Sequence, residues 1–183
     1  MVFRDLNAGE IEVRVSMAKE TGVQLLLYKD SRVDQTILDE TVGPMNWQRH
    51  HTRDNANCIV SIWDAKKEQW IAKEDTGTES NTEKEKGLAS DSFKRACFNW
   101  GIGRELYTAP FIWIKAEDCP GLKAGQNGRM QCFDTFAVDR IKIEKKKIVG
   151  LCIVNTKTWK RVFTWVDPIW QAQQAMEKAN GNG

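Results

Sequence analysis

The sequence predicts an α+β fold in which an antiparallel β-meander is packed by one long helix. Three observations predict it. Strand-like runs at residues 47–52, 58–63 and 70–74 follow one another across the short polar links TRDNAN and DAKKEQ. Links of that length permit only antiparallel pairing, because a parallel connection needs a crossover of a dozen or more residues. Next, Ala89, Phe93, Ala96, Cys97 and Trp100 recur at i, i+4, i+7, i+8 and i+11, a single apolar stripe of helical period. Beyond Pro110 the pattern returns to strands, so strands and helices are grouped in runs rather than strictly alternated.

Taken in order, Asn7 offers a cap with Glu10 three residues on, and residues 11–17 fit either a helical turn or a strand, since Ile11, Val13 and Val15 alternate with polar neighbours. Glu20, Thr21 and Gly22 make a turn, and residues 23–28 form an apolar run of strand length, the second arm of a hairpin. Ser31 with Asp34 offers a cap for a short helix carrying Val33, Ile37, Leu38 and Val42, ended by Gly43 and Pro44. The meander follows. Ser80 and Thr82, each three residues before a glutamate (Glu83 and Glu85), are capping-box candidates for the long helix, which Gly101 and Gly103 stop. Strands are expected at 111–114, 136–143, 148–154 and 159–166, with residues 115–131 as a long loop. Asp167 and Pro168 open a short terminal helix, proline at its first position.

Length and composition bound the class. The 183 residues, 41% hydrophobic and 28% charged, suit one soluble globular domain over 1–179 with a disordered tail at 180–183. No apolar run approaches the ~18 residues that span a bilayer, and the opening MVFRDLNAGE lacks a leader pattern, so a cytoplasmic protein is expected. Five cysteines, Cys58, Cys97, Cys119, Cys132 and Cys152, are scattered and never in a CxxC pair. Free thiols are therefore expected, with no disulfide framework, metal or cofactor.

Net charge is only +2, so any nucleic-acid footprint must come from local clustering. Lys94 and Arg95 are adjacent on the long helix, away from its apolar stripe, with Lys84 and Lys86 earlier. A second cluster, Lys142, Lys145, Lys146, Lys147, Lys157, Lys160 and Arg161, falls at hairpin turns. Basic flanks of this kind are most often solvated faces. Charge alone assigns nothing.

The stretch EKEKGLASDSFKRACFNWGIGRELY, residues 83–107, carries Ser90-Asp91, Lys94-Arg95-Ala96, Gly101 or Gly103, and Leu106-Tyr107. That combination resembles the long helix of the Rad-fifty-two superfamily of single-strand annealing proteins, and the phage and prophage annealing proteins of Gram-positive bacteria are most similar. The surroundings match in order: Ser31-Arg32-Val33, a short helix closing at Gly43, then Asn46-Trp47 opening a meander. The resemblance covers a core at 23–114, while 132–179 is read from its pattern as β-hairpins and the terminal helix. Eukaryotic members place a further basic residue in the turn after Lys94-Arg95, where this chain has Phe98 and Asn99.

The resemblance implies a ring-forming or helical homo-oligomer whose basic groove holds single-stranded DNA with its bases outward. Arg32, Lys94 and Arg95 would contact phosphates, and Lys84 or Lys86 would serve a second, outer site; whether double-stranded DNA is also a partner is left open. Arg49, Lys145 and Lys146 complete the candidate set. The implied setting is phage or prophage recombination in the bacterial host cytoplasm, alongside a phage exonuclease and a single-strand binding protein. Annealing breaks no bond, so no catalytic residue is expected. An end-protecting or loading factor that binds without annealing fits the same residues. A metal-dependent nuclease would instead use Asp134 or Asp139 with Glu144 and Lys146. Trp47, Trp63 and Trp100 are expected in the core or an interface, and His50 and His51 point to opposite faces of one strand.

Overall fold

The computed structural model describes residues 1–78, 84–126 and 128–180. The described residues form an α+β structure, with antiparallel sheets and three α-helices. The backbone groups into two compact units, one of Met1–Asp5 with Lys29–Arg104 and one of Leu6–Tyr28 with the chain from Glu105 onward. Among the described residues no helix is long and apolar enough to cross a membrane. The capping candidates Ser80 and Thr82, with Glu83, lie outside the described residues, as does 181–183 of the expected tail.

In the first unit, α1 (Ser31–Val42) leads into the meander β3 (Trp47–Thr52), β4 (Asn57–Asp64) and β5 (Gln69–Thr76), and α2 (Lys84–Trp100) packs on it. Strict alternation sets one face of the meander against the helix. Cross-strand rows place Arg49, Val60 and Lys73 together, and His51, Cys58 and Asp75 together. Cys58, Val60 and Ile62 are buried there with Phe93, Ala96 and Cys97 from α2. The Trp100 indole N–H donates to the Val60 carbonyl at 3.0 Å, and Ser92, a polar residue buried in the same layer, donates to the Asn55 carbonyl at 2.9 Å. The last turn of α2 exposes carbonyls that need donors. Lys73 Nζ reaches Asn99 O at 2.8 Å, and Arg104 reaches Phe98 O and Asn99 O, placing positive charge at the negative end of the helix.

One expectation for this unit is corrected and another is narrowed. Ser31 is not the cap of α1: Asp30 is, its carboxylate accepting the Arg32 N–H at 2.8 Å, while Ser31 is already helical. Asp34 does not cap either. It is fully buried and paired with Lys29, which is itself 6% exposed. Gly103 makes room for that lysine. Its φ is +72°, and a Cβ there would sit 2.3 Å from Lys29 Cε, so both the backbone conformation and the space require glycine. Trp63, expected in the core or an interface, does not lie in the core. It is 37% exposed and pairs edge to face with Trp70, which is 42% exposed. Trp47 and Trp100 are half-buried, Trp47 stacked on Phe93.

In the second unit the open question at 11–17 resolves as strand. A 3-10 turn (Ala8–Glu10) precedes β1 (Glu12–Lys19), which pairs with β2 (Gly22–Tyr28) as a hairpin. With β6 (Ile112–Lys115), β9 (Phe136–Glu144), β10 (Lys147–Asn155) and β11 (Lys160–Val166) they form one sheet in the order β11-β10-β9-β1-β2-β6. Val23 opposite Ile114 and Leu25 opposite Ile112 are buried cross-strand pairs, joined in the core by Ile148, Leu151 and Ile153. The segment 115–131 is not a bare loop: it holds a 3-10 turn (Ala116–Asp118) and a small hairpin of β7 (Leu122–Ala124) and β8 (Met130–Cys132). Asp167 caps α3 (Pro168–Asn180), accepting the N–H groups of Ile169 and Trp170 at 2.9 Å.

Candidate nucleic-acid interface

The start of α1 gathers the charge that the sequence had dispersed. Arg32 folds back over the capping residue, its Nε 2.8 Å from Asp30 Oδ1 and a terminal nitrogen 3.1 Å from Oδ2. Hydrogen bonds from Arg32 hold the Asp30 carboxyl below the ordinary carboxylate range, and the positive charge of Lys94 on α2 adds to the effect. Lys94 also acts on Asp34. Arg32 and Lys94, 62 positions apart in sequence, thus both act on the Asp30 carboxylate, Arg32 by hydrogen bonds and Lys94 through its charge. Two cations therefore act on one carboxylate beside the positive end of the α1 dipole. Arg32 is 83% exposed. Exposed ion pairs contribute only ~0–1 kcal/mol, so exchanging Asp30 for an incoming phosphate costs the guanidinium little.

Beneath this surface lies the Lys29–Asp34 pair. Burial pushes the Asp34 carboxyl up to about 6, against the pull of the Lys29 ammonium. The pair ties the residue before the cap to the first turn of α1 and so fixes where Arg32 emerges.

Arg49 on β3 is exposed, with its guanidinium 4.9 Å from the centre of the Phe93 ring, the residue preceding Lys94 on α2. Stacking on a buried ring restrains a long side chain without consuming its hydrogen-bond donors. His51, on the same face of β3, has its pKa lowered by burial first and by Arg49 second. It therefore contributes no substantial positive charge at neutral pH. His50 is on the opposite face.

Lys94 and Arg95 do not act as one flank. Arg95 turns to the meander, its Nε 3.3 Å from Asp75 Oδ1, and Asn99 donates to the other oxygen of Asp75 at 3.2 Å. Adjacent helical residues project ~100° apart, enough to turn Lys94 away from the side on which Arg95 meets Asp75 of β5. Lys84 and Lys86 lie at the start of α2, with side chains outside the described residues.

Lys145 and Lys146 belong to the second unit. They form the two-residue turn between β9 and β10, both in the left-handed region, with Lys145 exposed. The rest of that basic cluster is largely paired with acids: Lys142 with Glu144, Lys147 with Asp167, Lys160 with Asp118 and Arg161 with Asp139.

The carboxylates of the nuclease alternative are not brought together. Asp139 is held by Arg161 at 2.6 Å and Glu144 by the Trp170 indole at 2.7 Å. These two stand ~16 Å apart along β9 at the rise of an extended strand. Asp134 accepts the Gly121 N–H and sits beside Cys119 and Cys132. The sequence reading passed over that grouping, and over Lys73 and the Lys29–Asp34 pair.

Set against protein-family models, curated proteins and solved structures, the chain matches none.

Proposed function

We propose that this protein binds single-stranded DNA through its phosphates and anneals complementary strands. The observation that carries the reading is the exposed Arg32 guanidinium paired with Asp30 at the start of α1, a carboxylate on which the charge of Lys94 from α2 also acts, both cations standing at positions that the annealing-protein resemblance assigns to phosphate contact. Arg49, stacked beside the same helix, extends the basic surface. Cations that neutralise phosphates while leaving bases unread lower the repulsion between strands and let a complementary strand test its register. Phosphate contacts hold the strand, and base pairing specifies the partner.

The reading includes a Rad-fifty-two-like annealing fold and a homo-oligomer, ring or filament, that lines up one such surface per subunit along a strand. It places the protein in phage or prophage recombination in the bacterial cytoplasm, working with an exonuclease and a single-strand binding protein. Arg95 has a secondary part, because Asp75 engages it.

The test is a salt titration of binding to labelled oligonucleotides of unrelated sequence, followed by fluorescence anisotropy. Log affinity is expected to fall linearly with log salt, by ~0.7 per phosphate neutralised, with superimposable lines for the different sequences. Strong preference for one sequence at constant salt contradicts phosphate-led binding.

A further inference from the structure

The second unit places two thiols and a carboxylate together. Cys119 Sγ, Cys132 Sγ and a carboxylate oxygen of Asp134 all lie within 4.8 Å of one another, with Cys132 Sγ 3.9 Å from Asp134 Oδ2. Local structure creates the grouping. Cys119 follows the 3-10 turn at 116–118, and its carbonyl accepts the Leu122 N–H at 2.9 Å, a tight turn with Pro120 in its second position. Leu122 pairs with Cys132 across the hairpin, so the returning strand delivers Cys132, and then Asp134, beside that turn.

Gly121 closes the arrangement. Its N–H donates to Asp134 Oδ2 at 2.8 Å, and its carbonyl accepts the Phe133 N–H at 3.0 Å. A Cβ at position 121 would lie 2.8 Å from Asp134 Oδ1 and 2.9 Å from the Asp134 nitrogen. Only glycine lets the carboxylate approach this closely.

Cys119 is 2% and Asp134 6% exposed. Among the described residues no lysine or arginine forms an ion pair with Asp134, whose carboxylate is held by a backbone N–H. A buried carboxylate without a cation is costly unless it is neutralised or coordinates a metal.

The geometry points to a divalent transition-metal site, with Cys119, Cys132 and Asp134 as ligands and Zn²⁺ as the ion that fits. Zn–S bonds of ~2.3 Å and Zn–O bonds of ~2.0–2.2 Å at tetrahedral angles require donor separations of about 3.5–3.8 Å. The observed spacings, at most 4.8 Å, need to close by no more than ~1.3 Å to meet that requirement. Two thiolates select against Mg²⁺ and Ca²⁺, which take oxygen ligands. Three protein donors leave the fourth position to water. Binding would deprotonate the thiols and fasten the base of the β7–β8 hairpin to the end of the 3-10 turn. The site is independent of Arg32 and Lys94.

The test uses the full chain, purified with reductant and without chelator. One equivalent of zinc is expected in the isolated protein. After its removal, Co²⁺ should give the thiolate-to-metal charge-transfer and visible bands of a tetrahedral site. Cys132→Ser should halve the charge-transfer intensity. Both Cys132→Ser and Asp134→Asn should weaken Zn²⁺ binding by more than the ~10–100-fold typical of losing a residue that merely orients a ligand. Cys152→Ser, on β10, should change neither measurement. The wild type carries the test even if a variant fails to fold. Folded, fully reduced protein that takes up neither metal overturns the site, as does a cobalt spectrum unaltered in Cys132→Ser. A metal-free Cys119–Cys132 disulfide in protein isolated without reductant also overturns it.

Discussion

Replacing Arg32 and Lys94 together with alanine is expected to weaken single-stranded DNA binding about 25-fold at ~0.1 M salt while leaving the fold intact. The magnitude follows from counterion release: at ~0.7 in the log–log slope per phosphate contact, each contact is worth about fivefold at ~0.1 M relative to ~1 M salt, and two multiply. The salt slope should become shallower by about 1.4. In an oligomer the loss compounds, because one strand crosses several subunits. Stability should barely move. Arg32 is largely exposed and its pairing with Asp30 is a surface one, while Lys94 lies off the Phe93–Cys97 stripe that packs the core, and alanine is the best helix former. Arg95→Ala should have a smaller effect on binding, since its guanidinium already serves Asp75. Equal binding by the double variant and the wild type would reduce Arg32 and Lys94 to a solvated surface.

Lys29→Met is expected to destabilise the protein by about 3–5 kcal/mol, the typical result of stripping one partner from a buried ion pair. For a chain of this size that corresponds to a fall in Tm of about 6–20 °C. The methionine keeps most of the lysine's apolar stem, so the cost reports the carboxylate left behind in Asp34, which is fully buried. Adding Asp34→Leu should recover much of the loss, because removing both charges also removes both desolvation costs.

The pH dependence has a definite sign. The folded-state pKa of Asp34 is raised by burial from the ordinary 3.8 to about 6, so the native state holds this proton more tightly than the unfolded chain does. Its stabilising contribution is present on the acid side and is lost as pH rises through about 6. Without the ammonium that opposes burial, the Lys29→Met deficit should grow from acid to neutral pH. Thermal melts across that range check it, and a deficit independent of pH would show that Asp34 is not the group responsible.

The parts legible in the sequence are those that repeat. The α2 stripe has helical period and buries Phe93, Ala96 and Cys97 as expected. The three meander strands alternate, and their observed limits at Trp47–Thr52, Asn57–Asp64 and Gln69–Thr76 extend the expected ones by one or two residues at most. The Gly43 and Asp167 boundaries also fall where turn and cap chemistry places them.

What escaped the sequence depends on contacts between distant residues. Asp30 and Ser31 are both good caps by type, and only the chain geometry decides that the carboxylate of Asp30 reaches the Arg32 N–H. Lys29 and Asp34 look like surface charges until α1, α2 and Gly103 enclose them. Lys94 and Arg95 are neighbours in sequence, yet Asp75 on β5 engages Arg95, while the charge of Lys94 acts on Asp30 and Asp34 at the start of α1. Strands as short as β7 and β8, three residues each, carry too little periodicity to register. Without them Cys119, Cys132 and Asp134 are simply three polarisable residues scattered through a glycine-rich stretch.

The most direct measurement of the central proposal is the pairing rate of two complementary oligonucleotides, one carrying a donor dye and one an acceptor, followed by energy transfer as the protein is titrated. Pairing is expected to accelerate well above the protein-free rate, to lose that acceleration as salt rises, and to lose it in the Arg32→Ala/Lys94→Ala variant. Tight binding of each strand with no acceleration at any protein concentration would contradict annealing and leave a protein that only protects or delivers single strands.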